Sequence, residues 1–84
     1  MPYIKEEDRR WFDASIPDVV SKNTTAGELQ YCIAIMLKAF IGNGYNYQRL
    51  NDAMGALNGA NLEFYRRVVA PYENNKIDEN GGVY

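Results

Sequence analysis

The chain has 84 residues, with 9 lysines plus arginines against 11 acidic residues, a formal net charge of −2, no histidine and one cysteine. That length sets a single domain, residues 1–84, with a thin core, because a chain of this size buries little more than roughly 60% of its unfolded surface. The lone Cys32 excludes an internal disulfide. The lack of histidine excludes a Ser-His or Cys-His nucleophile and leaves no metal or cofactor expected, and the charge balance gives no general attraction to nucleic acid or anionic membrane. Self-association remains as the source of extra stability.

Met1-Pro2-Tyr3-Ile4 reads as an extended N-terminus, because proline biases its predecessor away from helical angles. Lys5 to Ala14 reads as a short charged helix carrying Trp11 and Phe12. Pro17 ends or kinks it, with a break near Ser15-Ile16 and a helical turn through Asp18, Val19 and Val20. The charged run Lys5 to Arg10 is unlike a signal peptide. The longest apolar run, Tyr31 to Ile41, is interrupted by Lys38, whereas a bilayer span takes about 20 apolar residues. The expected setting is therefore the cytoplasm, where a lone thiol stays reduced.

Thr25 with Glu28 three positions later forms a capping box, and the second helix starts there. Leu29, Ile33, Met36 and Phe40 follow the helical period. Cys32, Ile35, Leu37, Ala39 and Ile41 widen the stripe until the helix needs cover on most sides, within the chain or across a seam between copies. Gly42-Asn43-Gly44 stops it, and Asn46 caps a third helix running to about Ala70. Leu50, Ala53, Met54, Leu57, Ala60, Asn61, Phe64, Tyr65 and Val68 form the core face of that helix, with Asn61 either a register-setting polar residue or a wet one at the margin.

Another side of the third helix carries Gly55, Gly59, Leu62 and Arg66. Each mid-helix glycine costs about 0.8 to 1 kcal/mol relative to alanine, and a close helix contact at Gly55, Gly59 and Leu62 would offset it. Pro71 should end or kink the helix, leaving Tyr72 to Glu79 a turn or two. Residues 80–84 form a tail either frayed or docked by Tyr84.

Arg66 and Arg67 are the best candidates for ligand or partner contact, since guanidinium groups bind carboxylate or phosphate bidentately and stack on flat rings. Glu63 stands four residues before Arg67 in the favourable order for a helical ion pair, which leaves Arg66 without a local partner. Tyr65 and Tyr72 straddle the arginines, and Tyr47 flanks the cap of the third helix. Seven tyrosines suit interfaces or stacking on bases. Cys32 reads as a small buried hydrophobe, and the carboxylate pairs Glu6-Glu7 and Asp78-Glu79 as solvated surface.

Asn46-Tyr47, Leu50-Asn51, the run from Leu62 through Arg66-Arg67 and Pro71 to Glu73 (LEFYRRVVAPYE), and the ending Glu79-Asn80-Gly81 with Val83-Tyr84 resemble a family of small uncharacterised proteins of bacterial and tailed-phage genomes. The likeness spans nearly the whole chain. It implies a phage or prophage setting and supplies no activity. Two positions depart from the family pattern, Asn61 in place of lysine and Gly82 in place of aspartate, so a positive charge beside the arginine pair is missing here.

The sequence thus predicts an all-α domain, a homo-oligomer, with two main antiparallel helices, Thr25 to Ile41 and Asn46 to Ala70, plus short terminal helical segments. It predicts a non-enzymatic accessory protein that binds a host or phage macromolecule through an aromatic and arginine-bearing C-terminal face. The alternative is an oligomer that sequesters a small anionic ligand, such as a nucleotide signal, as counter-defence.

Overall fold

The computed structural model describes residues 3–84, and every regular element among them is helical. The described residues fall into two units, one ending at Met36 and one starting at Leu37, and each is taken by itself.

In the first unit Tyr3 and Ile4 form a bend, where an extended start was expected; Met1 and Pro2 lie outside the described residues. The charged segment is not one helix. A 3-10 turn, Glu6–Asp8, precedes α1, Arg10–Ser15. Neither start has a side-chain cap, and the tight turn satisfies donors locally, Asp8 N–H to the Lys5 carbonyl at 3.0 Å and Arg9 N–H to that of Glu6 at 3.2 Å. Pro17 falls in a second 3-10 turn, Ile16–Asp18, at a position where its missing N–H leaves no bond unmade, so α1 stops at Ser15 as its spacing predicts.

α2, Ala26–Ile41, starts on the capping box read from the sequence. The Thr25 N–H donates to Glu28 Oε1 at 2.9 Å and the Glu28 N–H to Thr25 Oγ1 at 3.1 Å, so two otherwise orphan donors are satisfied reciprocally. The helix ends where the glycine demands it. Gly42 has φ of +74°, and its N–H returns to the Lys38 carbonyl at 3.2 Å.

The second unit is dominated by one rod. α3, Tyr47–Phe64, is capped by Asn46, whose Oδ1 accepts from the Arg49 N–H at 3.1 Å. A π turn, Tyr65–Val69, follows without interruption, and then α4, Ala70–Asn80. At 1.5 Å per residue the whole is about 50 Å long. The helix was expected to end or kink near Ala70, and it does not end there. Proline is destructive inside a helix because it lacks an N–H and its ring meets the carbonyl four residues back. Here the backbone widens first, the Ala70 N–H reaching the Tyr65 carbonyl five residues back. Pro71 then stands in the first turn of α4, where no donor is required of it.

Ala53 is the one buried side chain among the described residues, at 8% exposure. Cys32, Ile33, Leu37, Ile41 and Leu57 are half-buried, while Leu29, Ile35 and Met36 of α2 remain exposed. The core is thinner than its length predicts, and Cys32 is not fully enclosed. Among the described residues α2, apolar on most sides, keeps Leu29, Ile35, Met36 and Phe40 exposed.

Candidate functional site

The turn between α2 and α3 holds a contact that the sequence reading missed. Arg49 Nε donates to the Phe40 carbonyl at 2.8 Å, and the guanidinium carbon lies 3.4 Å from the centre of the Phe40 ring. A cation at a helix C-terminus meets its unsatisfied carbonyls and the negative end of its dipole. The signal was available only as a cation just beyond a Gly-Asn-Gly stop.

The π turn decides what its surroundings can do. On a regular α-helix Tyr65 and Glu73, eight residues apart, would stand about 80° from each other; one extra residue in the turn makes that spacing act as seven, about 20° from alignment. The Tyr65 hydroxyl accordingly donates to Glu73 Oε1 at 3.0 Å, a bond that bridges the widened turn. The hydrogen bond to Glu73 raises the phenol above its usual pKa, helped by the negative charge of the carboxylate and slight desolvation.

Beyond this bond the tail curls back past α4. A shallow groove of about 540 Å3 is lined by Tyr65, Tyr72, Glu73, Lys76, Ile77 and the Gly81–Tyr84 segment. Gly81, with φ of +83° and its N–H on the Ile77 carbonyl at 2.8 Å, makes the reversal possible. The tail is not docked by its tyrosine, since the Tyr84 ring stands fully in solvent. Lys76 lies 5.5 Å above the Tyr72 ring and 3.6 Å from Glu79.

The expected ion pair is reassigned. Glu63 Oε2 lies 2.8 Å from Arg66, not Arg67, because positions three and four residues on share a helix face and spacing alone cannot choose between them. Arg67, expected to be the paired one, has no ion pair among the described residues. Tyr65, Tyr72 and the two arginines share one segment of the rod. Tyr47 does not join them, being about 27 Å away along the axis at 1.5 Å per residue.

At Gly55 and Gly59 an added Cβ would meet nothing within 4 Å, so the helix contact expected there is not made within the described chain. Leu62 beside them is exposed. Among the described residues no group of three or more histidine, cysteine or carboxylate side chains could hold a metal ion, and no helix is long and apolar enough to cross a membrane.

The first unit contributes an apolar cleft of about 320 Å3 between the Pro17 turn and α2, lined by Ile16, Val19, Val20, Tyr31, Cys32, Ile35 and Met36, almost wholly through apolar atoms. It offers no polar anchor to orient a small ligand.

Comparison with known proteins agrees with the family resemblance at its coarsest level. The chain belongs to a family defined by a domain of unknown function, DUF6899, whose model matches residues 1–83. No curated protein and no solved structure matches it.

Proposed function

We propose that this member of the family acts by association: it assembles with itself and docks another macromolecule through the outer side of its C-terminal rod, as an accessory protein of a phage or prophage in the host cytoplasm. The observation that carries this reading is the exposure of the apolar residues. A chain that is 46% hydrophobic encloses only Ala53 among its described residues. Folding is driven by apolar surface leaving water, at about 25 cal/mol per Å2, and a chain that leaves this much in contact with solvent gains the rest from partners.

The docking face consists of Tyr65, Arg66 and Leu62, an amphipathic ring, a cation and an exposed aliphatic side chain, the residue types that anchor protein interfaces. Sequestering of a nucleotide has weaker support, because the groove beside Tyr65 and Tyr72 carries Glu73 and neither arginine lines it.

Molar mass by light scattering, followed from high to low micromolar protein, tests the first part; the expected result is a discrete assembly, and a folded single chain throughout would end the reading. For the docking part, Leu62→Ala with Arg66→Ala is expected to abolish recovery of one specific host or phage macromolecule without changing the mass of the assembly. Recovery of the parent protein by itself would refute it.

A further inference from the structure

From Tyr47, alternating steps of three and four residues lead through Leu50, Met54, Leu57, Asn61 and Phe64 to Val68. This is the spacing of the a and d positions in a heptad, with Tyr47, Met54, Asn61 and Val68 at a and Leu50, Leu57 and Phe64 at d. The structure leaves the seam open. Met54, Phe64 and Val68 are 58%, 59% and 53% exposed, although all three lie on one face of a continuous helix. The next d position would be Pro71. The residue added by the π turn shifts the phase by one, so Tyr72 takes that place and the stripe continues into α4.

We propose that the rod from Tyr47 to Tyr72 pairs with a second copy of this chain as a parallel, in-register two-stranded coiled coil; the inference rests on the self-association proposed above and names its geometry. Three features select a second copy in this orientation. Asn61 is the one amide among these positions, and its side chain makes no hydrogen bond to any described residue. An amide carries both donors and an acceptor, so two Asn61 side chains facing each other satisfy one another, which only a parallel, unshifted pairing allows.

The second feature is charge. Counted through the π turn, Arg67 falls at a g position and Glu73 at the following e, the two places that meet between parallel strands. Arg67 is the guanidinium that Glu63 leaves unpaired. Its natural acceptor is Glu73 of the other copy, which keeps a second carboxylate oxygen beyond the one bound to Tyr65. Upstream, the flanks are Asn51 and Asn58 on one side and Ala53 and Ala60 on the other, so no charges there favour an opposite orientation.

The third is area. A rod segment about 39 Å long and 10 to 12 Å wide gives each copy a footprint of roughly 400 Å2, and on the order of 1,000 Å2 in total once the corrugation of helix surfaces is included. That is the size at which specific interfaces begin. The pairing turns Arg67 and Tyr72 toward the second copy and keeps Arg66, Leu62, Gly55 and Gly59 outside, available to a further partner.

Disulfide trapping in a Cys32→Ser background tests the geometry. Leu57→Cys, at a d position, is expected to cross-link almost completely to a two-chain species on oxidation, while Gly59→Cys, on the opposite side of the helix, stays single. Assembly with preferential trapping at Gly59→Cys would overturn the seam and leave self-association standing; a folded single chain at micromolar concentration would overturn both. Arg67→Glu is expected to weaken self-association roughly fivefold or more, and Arg67→Glu with Glu73→Arg to restore it. A double variant no tighter than the single one would overturn the parallel register.

Discussion

α2 and the C-terminal rod both meet a residue that is read as a helix breaker, and they respond in opposite ways. At Gly42 the chain turns through a positive φ of 74° and the helix is over. At Pro71 the helix passes on for nine further positions to Asn80. The difference lies in what each residue does to the backbone. Glycine opens a conformation that terminates the hydrogen-bond ladder, and the Gly42 N–H closes it onto Lys38. Proline only forbids one donor and one close approach, and a π turn placed just ahead of it removes both demands.

The largest effect expected from this contrast comes from moving the proline. Ala56→Pro, on an exposed side of α3 with no widened turn before it, is expected to cost about 3 kcal/mol or more, whereas Pro71→Ala changes stability by no more than about 1 kcal/mol. Denaturant unfolding at one fixed protein concentration measures both, and similar costs at the two sites would mean that the π turn does not shelter the proline. Gly42→Val comes next, at about 1 to 2 kcal/mol, because a β-branched residue is held at a left-handed φ there. A tolerated valine would show that the stop does not depend on that conformation.

At the other end of α2, Thr25→Ala removes the acceptor of the Glu28 N–H and is expected to cost about 1 kcal/mol. Amide exchange in the first turn of α2 should quicken while the rod is unaffected; uniform quickening would mean that the two units unfold together. The smallest effect concerns the bond across the π turn. Because the folded-state pKa of Tyr65 is raised, the stabilisation from its hydrogen bond is complete below the unfolded phenol value, near 10, and is lost as pH rises through the folded one. In an ultraviolet titration one tyrosine should ionise late, and Glu73→Gln should bring it back. An unchanged curve in the variant would detach Tyr65 from Glu73.

Much of the helix plan was legible because its signals are local. The Thr25–Glu28 box, the Asn46 cap and the Gly42 stop each act within four residues, so the side chains that make them can be named from spacing. The site was legible in its parts and misread in its pairing. Glu63 chose Arg66 over Arg67, two neighbours that a helical wheel offers together. Tyr65 with Glu73 was out of reach of any such wheel, since a spacing of eight aligns only after a turn has been widened.

The sequence by itself determined the fold class, the places where α2 and α3 start, and the apolar excess that the described residues do not enclose, because capping and composition are properties of adjacent residues. Only the folded chain decided that Pro71 would extend a rod, which guanidinium would be left unpaired, and how far the apolar stripe would run. The first and last of those outcomes turn on one added residue in one helical turn, which shifts the angular phase of everything after it and leaves no mark on the spacing before it.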